Sequence, residues 1–496
     1  MKYQNPVLRG FHPDPSICKV GDTYYLVTST FEFLPGLPVY QSNDLLNWRL
    51  VSHVIDKSTA KYYPYVNLKN SLGAFAPTIR FHDGIFYIVC AFVPRGTFIV
   101  KTRNPTQGWS QPIWLKEGVG IDPSLTFLND KCYLQMTEAG KIMQFLLDPD
   151  TGRILSEEKI ISYGTGGRDP EGPHIYYQYG KFWLLLAEGG TRSGHMVTMQ
   201  VADNINGPYH SVLNNPILTN RDYKNELQCV GHADIVQIDE ERFCLVALAT
   251  RQPPHIHRTL LGRETILLPV TWDANKIEVN KKEKISKATV NVAAPLKTNL
   301  QLHSEEDFSA DNLLSVVGLP DYQLVRNKLT LKANTLPLKM SQVSQLAPSF
   351  IGFAQTEFNG EFSFCLKTEE LRASLAGLTV YKDDTHYFAV LYNAEQNTIQ
   401  IGKRDSDLKI EQKLKVKLKG KIIRFILKMR QENYCVILKD NETEIAKTSM
   451  LTRHFTNEVS DSPFTGVVIG LRAIGQTDVK FNSINLRYEN RSSKKR

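Results

Sequence analysis

From residue 14 onward the chain alternates polar and apolar stretches on a repeating plan. A short polar or proline-bearing segment leads into an apolar run. A turn containing Gly, Asp, Asn or Glu follows, and then a strongly apolar, aromatic run. The plan recurs five times: "DPSICKVGDTYYLVTS" from Asp14, "APTIRFHDGIFYIVCAF" from Ala76, "DPSLTFLNDKCYLQMTEA" from Asp122, "EGPHIYYQYGKFWLLLAEGG" from Glu171 and "HADIVQIDEERFCLVALAT" from His232. The starts lie 62, 46, 49 and 61 residues apart, room for one hairpin and two more strands per unit. Helical repeats would show a 3.6-residue apolar period, which is not found. A long sandwich would lack the recurring opening. Repeats of this size, made of short antiparallel strands, predict a five-bladed β-propeller.

In a propeller the innermost strand of each blade lines the central channel, so equivalent positions at its start converge on one axis. Asp14, Asp122 and His232 each precede the first apolar anchor of their unit by three residues (Ile17, Leu125, Ile235), and Glu171 precedes Ile175 by four. Three carboxylates and a histidine are therefore expected at one mouth. Pro13 and Pro15 flank Asp14, Pro123 follows Asp122, and Pro170 and Pro173 stand around Glu171. Proline fixes its own φ and pushes the preceding residue out of helical conformations. These loops read as stiff mounts that aim acid/base groups.

Past the last repeat, "KKEKISKATVNVAAPLK" (Lys281–Lys297) is a polar, weakly periodic link. Strand pairs then resume without any acid cluster: Ala376–Asn393, Lys421–Asp440 and the run Gly466–Gly475. The expectation is all-β, with a propeller over 1–297 and an antiparallel β-sandwich over 298–496 that ends in a disordered basic tail, "RSSKKR". At 496 residues the chain is long enough for two or three domains.

The net charge of +8 raises the question of nucleic acid, but Lys403–Arg430 alone holds eleven Lys/Arg against three Asp/Glu. Within it "KLKVKLK" (Lys413–Lys419) alternates, as a half-buried strand with a solvated lysine face does. No apolar run reaches the length of a membrane span. The start, "MKYQNPVLRG", has no apolar core of a secretory signal, and seven scattered cysteines without CxxC spacing make no disulfide framework. A reducing cytoplasm is the expected location.

The stretches "NPVLRGFHPDPSIC", "APTIR", "GIDPSL", "PEGPHIY", "AEGGT", "GHADIV" and "LGRET" resemble glycoside hydrolase family 43, nearest to its β-xylosidases with an appended C-terminal concanavalin-like sandwich. The resemblance runs over nearly the whole chain, in the family's order. It implies inverting hydrolysis with Asp14 as general base, Glu171 as general acid, and Asp122 orienting the acid and tuning its pKa. It implies that Thr191, His232 and Arg263 hold the sugar, and that Phe31 and Phe75 wall the pocket, Phe75 standing where many members carry Trp. Phe464 of "SPFTG" is the candidate aromatic that the sandwich contributes to close one side. The implied substrates are short β-1,4-xylooligosaccharides, with α-L-arabinofuranosides as the alternative, since the family contains both activities. No cofactor or metal ligand is implied. Some members hold a cation in the channel near a histidine, and His232 would do so through water, but nothing in the sequence demands it. Members are often dimers or tetramers, so a homo-oligomer is compatible; no nucleic-acid or membrane partner is expected.

Inverting hydrolysis needs two carboxyls in opposite protonation states, one to take a proton from water and one to give a proton to the leaving oxygen. The acid stays protonated only if burial or a like charge raises its pKa, and Asp122 would supply that charge. Other readings are weaker. "RDPE" (Arg168–Glu171) is similar to the Arg-Asp-Pro of sucrose- and fructan-cleaving propellers, but their Asn-Asp-Pro-Asn-type nucleophile motif is absent. "HIH" (His255–His257) has metal-like spacing without Cys or acidic partners, and reads as a loop near the pocket. A non-catalytic carbohydrate-binding propeller would not need three aimed acids.

Overall fold

The computed structural model describes residues 2–66, 68–116, 120–253, 256–280, 289–291, 312–316, 318–338, 347–371, 374–460 and 463–489. The expected link Lys281–Lys297 is described only at Thr289–Asn291, which pairs with Lys2–Gln4; the boundary at 297/298, His255 and the tail 490–496 lie outside the described residues.

Five antiparallel sheets form the propeller, one for each sequence repeat. Their first strands are Ser16–Val20, Gly73–His82, Ile121–Leu128, Glu171–Gln178 and Leu227–Gln237, and each packs against the next around a closed ring. Each pairs outward with the aromatic apolar strand of its repeat, such as Ile85–Val93 or Lys181–Glu188. These second strands are buried on both faces (Lys181–Glu188 hides seven of its eight residues) because neighbouring blades cover both sides.

The ring is closed at its centre by Asp234. Its carboxylate accepts from Ser16 Oγ at 2.7 Å, Ile17 N at 3.0 Å, Arg80 Nη1 at 2.8 Å and Tyr176 Oη at 2.6 Å, tying blades five, one, two and four together. Burial alone would raise its pKa, but Arg80, His174 and these bonds hold it far below the carboxylate range. The chain start is bound to the end of the ring. Asn5 exchanges side-chain bonds with Leu267 O and N at 2.9 Å each, and His12 N donates to Arg263 O at 2.9 Å. Residues about 250 apart in sequence thereby become neighbours.

Among the described residues the second region is a two-sheet sandwich that supplies seven strands to each sheet, one of them extended to eight by a propeller strand. The expected hairpins appear as Ser374–Asp383 with His386–Asn393, and Ile422–Arg430 with Asn433–Asp440. Alternating inward residues such as Phe362, Phe364, Leu378, Phe425 and Leu471 fill its core. The lysine-rich stretch departs from expectation. Its strand, Leu408–Lys415, is an edge strand exposed at all eight residues, and it ends before Val416 and Leu418, which alone turn half-inward. With nothing paired on its outer side, the edge keeps lysines that discourage further strand addition.

Propeller and sandwich share structure. Phe33–Leu34 of the propeller pairs with Leu313–Val316 at the end of the eight-stranded sheet, and Leu260 and Leu261 belong to the sandwich core. Arg251, 2% exposed, is bidentate to Glu264 at 2.7 and 2.8 Å and reaches Glu357 of the sandwich at 2.8 Å. Among the described residues no helix is long and apolar enough to cross a membrane, and all seven cysteines are free.

Candidate active site

The first strand of four blades carries a bulge at its start, and the residue there adopts left-handed φ. These residues are Ala76 (47°), Asp122 (52°), Gly172 (59°) and His232 (47°). Asp14, with φ 52°, stands at the same place in blade one. Each precedes the apolar anchor (Ile17, Ile79, Leu125, Ile175, Ile235) by three residues. The prolines therefore do what was expected only in part. They keep the preceding residue out of the right-handed helical region, but the structure puts Asp14 and Asp122 in the left-handed one rather than in extended backbone. Such a conformation costs a residue with Cβ about 1–2 kcal/mol and persists where surrounding contacts impose it. The fourth blade explains why Glu171 sits one position out of register. Gly172 takes the left-handed position there, so Glu171 precedes the bulge and presents its side chain from a different point of the rim.

Asp14 is 3% exposed. Arg263 grips it with Nη1 on Oδ1 at 2.8 Å and Nη2 on Oδ2 at 3.3 Å, and Ser29 Oγ donates to Oδ2 at 2.6 Å. Burial pushes the carboxyl up, but Arg263, His232 and the Ser29 bond outweigh it and hold Asp14 below its ordinary pKa. Asp122, 6% exposed, accepts from Gly172 N at 3.1 Å, which fixes the peptide right after Glu171. Burial, with the Asp14 charge, raises Asp122 somewhat against the pull of His232. Glu171 is the most open of the three, its side chain 23% exposed. Partial burial, then the charges of Asp122 and Asp14, drive its pKa well above the carboxylate range. One carboxyl is thus held ionised and another held protonated in the same mouth.

The expected sugar-contacting residues join this constellation. Arg263 Nη1 also meets Thr191 Oγ1 at 3.2 Å, and Arg263 Nε donates to Phe464 O at 3.3 Å. The His232 ring lies against Gly172, where an added Cβ would stand 3.3 Å from it. Phe31 stacks on Phe75 at 5.3 Å and on Phe464 at 5.7 Å, both at 15°, and the Arg263 guanidinium stands 5.4 Å from the Phe31 and Phe464 ring centres. The structure brings all nine predicted residues together, Phe464 included. Among the described residues no three His, Cys, Asp or Glu side chains are grouped as a metal site.

Three supports were not read from the sequence. Ser29 follows the second strand of blade one and bonds both Asp14 and, through its oxygen, Ala76 N at 2.7 Å. His195, 1% exposed, has Nδ1 on Cys229 O at 3.1 Å, so Nδ1 carries the proton and the bare Nε2 faces Glu171 Oε1 at 3.9 Å. Burial lowers its pKa to about 3, so the ring is neutral and gives no charge to ionise Glu171. The ring fits because residue 231 is glycine; a Cβ there would lie 2.3 Å from Nε2. Lys382 is the third. Fully buried, it donates to Asn457 Oδ1 at 2.6 Å and to Thr465 O, gripping the chain on both sides of Phe464. Its neighbour Asp383 accepts from Ser460 Oγ at 2.6 Å. Burial brings Lys382 down to about 8. None of the three stands in the repeat register or in the motifs that carried the family resemblance.

Comparison with known proteins agrees with the geometry. The profile described as Glycosyl hydrolases family 43 matches residues 3–277, and that described as Beta xylosidase C-terminal Concanavalin A-like domain matches 320–484. The chain is 34% identical to the non-reducing end alpha-L-arabinofuranosidase BoGH43B of Bacteroides ovatus, over 97% of this chain and 93% of that protein. It is 31% identical to a xylosidase/arabinosidase of Butyrivibrio fibrisolvens, over 95% of each. The solved structure titled Bacteroides ovatus Xyloglucan PUL GH43B matches with a TM-score of 0.88 at 30% identity, covering 99% of this chain and 100% of that one. A five-bladed propeller with paired acids at its mouth, a sandwich closing on it, and these matches along both regions place the chain in glycoside hydrolase family 43.

Proposed function

We propose that the protein is an inverting, exo-acting β-xylosidase that releases xylose from the non-reducing end of short β-1,4-xylooligosaccharides. The observation that carries this reading is the pair of carboxyls in one mouth with opposite surroundings, Asp14 gripped by Arg263 and Ser29 and Glu171 partly buried beside Asp122 with no cation among the described residues on it. Asp14 takes the proton from a water attacking the anomeric carbon. Glu171 gives its proton to the glycosidic oxygen as the bond breaks. Asp122 holds the Gly172 peptide, and so the Glu171 side chain, while its charge keeps the acid protonated. Thr191, Arg263 and His232 meet the sugar hydroxyls, and Phe31, Phe75 and Phe464 wall the ring. Phe464 of the sandwich stands against Phe31 and Arg263 and walls the site on one side, which supports release of one terminal unit. The reaction needs no cofactor, and short oligomers suit an enzyme acting inside the cell.

A second reading, α-L-arabinofuranosidase, is favoured by the 34% identity to the Bacteroides enzyme of that name. Terminal arabinofuranose and xylose present similar hydroxyls to the same wall. Hydrolysis of paired nitrophenyl β-xyloside and α-arabinofuranoside separates the two, with the product anomer followed by NMR. The proposal expects the xyloside to be favoured and α-xylose to form first; initial β-xylose would mean retention. Glu171→Ala should abolish turnover of xylobiose, whose leaving group needs a proton, and affect the activated nitrophenyl substrate far less. Asp14→Ala should abolish both, by about 10²–10⁴-fold or more. Equal losses on both substrates for Glu171→Ala would remove it from the acid's role.

A further inference from the structure

The loop Gly189–His195 between the second and third strands of blade four has two faces. Its inner face carries Thr191, bonded to Arg263, and His195, behind Glu171. Its outer face walls a groove of about 670 Å³ that is lined by Thr165, Gly167, Arg168, Ser193, Asn215 and Arg221 among others. Among the described lining residues there is no carboxylate.

Two guanidinium groups are fixed there. Arg168 Nε donates to Gly189 O at 3.1 Å, and Arg221 Nη2 donates to Gly194 O at 2.5 Å. Gly189 and Gly194 are pressed together at the neck of the loop; a Cβ on Gly189 would fall 1.9 Å from Gly194 O. The arginine heads rest on the Gly189–Gly190 pair. A Cβ on Gly189 would lie 3.2 Å from Arg221 Nη2, and one on Gly190 2.8 Å from Arg168 Nη2. Both glycines have left-handed φ, 88° and 70°, so neither position tolerates another residue without moving an arginine.

Neither nearby acid takes up the hydrogen bonds of the two guanidinium forks. Glu188, wholly buried beneath the groove, accepts from Thr165 N at 2.9 Å, Gly167 N at 2.7 Å and Thr198 Oγ1 at 2.6 Å. Asp169 lies 3.6 Å from Arg168 Nε with its side chain 63% exposed, so solvent screens that pair. A neutral pentose chain gives two pinned guanidinium groups nothing of matching charge. Their planar forks fit a carboxylate. Arg168 stands three residues before Glu171, and the leaving portion of a glycoside lies on the side of the group that protonates it.

We propose that this groove is a leaving-side subsite for the carboxylate of a uronic acid, so that the enzyme prefers oligosaccharides whose leaving portion carries that acid. The inference rests on Glu171 being the general acid.

The test compares kcat/KM for a neutral xylooligosaccharide, the same oligosaccharide bearing a uronic acid on the unit next to the scissile bond, and the methyl ester of that acid. The wild type should favour the free acid by about tenfold to a hundredfold, the range of charge-assisted hydrogen bonds, and should treat the ester as neutral. The double variant Arg168→Gln/Arg221→Gln should lose that preference, the ratio of acidic to neutral kcat/KM falling to about one whatever release of the loop does to neutral turnover. No preference in the wild type, or an equal loss on neutral and acidic substrates, would overturn the proposal. Calorimetric titration of the full-length protein with glucuronate and with inorganic phosphate judges the groove apart from hydrolysis. Binding of glucuronate that the double variant abolishes supports it even if Glu171 proves not to be the acid. Binding of phosphate alone would make the groove a general anion site and overturn the uronate assignment.

Discussion

Asp122 does two jobs that one substitution can separate. Its oxygen accepts the Gly172 peptide N–H, and its charge adds to burial in raising the pKa of Glu171. Asparagine retains an acceptor oxygen but no charge. With Asp122→Asn the pKa of Glu171 should fall, because one of the like charges that disfavours its ionised form is gone. The proposed mechanism requires Glu171 protonated, so the alkaline limb of the kcat/KM–pH profile should move to lower pH. The acid limb, set by Asp14 under the grip of Arg263, should stay low. An unmoved alkaline limb would show that burial alone sets the acid. At this scale the sequence identified the charged groups, and the backbone beneath them decided how they are held.

At the scale of the element, the bulge that opens each inner strand is the common device, and blade two shows it without chemistry. Ala76 holds the left-handed position at φ 47°, buried, where blades one and three place acids. Glycine relieves the Cβ strain of about 1–2 kcal/mol at an entropic cost of about 0.5–1 kcal/mol. Ala76→Gly should therefore leave stability unchanged or raise it by up to about 1 kcal/mol, read as a small rise in Tm. A large fall would show that the Ala76 methyl packs more than it strains. The second element is the stretch carrying Phe464, held by Lys382 at Asn457 and Thr465 and by Asp383 at Ser460. Lys382→Met keeps the bulk and removes the bonds. It should raise KM, as Phe464→Ala should, by about 1–3 kcal/mol of lost apolar contact, with a smaller change in kcat. The two substitutions combined should not add, because both release one aromatic wall. Full additivity would separate Lys382 from the pocket.

For the whole molecule, the join between propeller and sandwich is built from buried ion pairs and a shared strand pair. Arg251 is bound by Glu264 within the propeller and Glu357 across the join, and Glu264 also accepts from Gly10 N at 2.6 Å. Arg263 and Glu264 are neighbours whose side chains diverge, one into the pocket and one into the join. Arg251→Met should leave Glu264 charged and buried without its partner, at a cost of about 3–5 kcal/mol. Chemical denaturation should read that loss, and activity should fall with it through the displaced Arg263. A variant as stable as the wild type would mean that the join relies on its apolar contacts alone.

The sequence by itself determined the architecture and most of the site. Five apolar–turn–aromatic units could bury their faces only by standing side by side, and the sandwich hairpins followed from paired apolar runs joined by short polar turns. The family's motifs supplied Asp14, Asp122, Glu171, Thr191, His232 and Arg263. The tertiary structure decided what periodicity does not encode. It set Asp14 and Asp122 in left-handed backbone, because bulges depend on the partner strand. It moved Glu171 out of register, because Gly172 takes the bulge in blade four. It exposed both faces of Leu408–Lys415, because an edge has no neighbour to cover it. It recruited His195, Ser29 and Lys382, whose roles arise from distant contacts such as Cys229 O and Thr465 O that leave no local pattern in the chain.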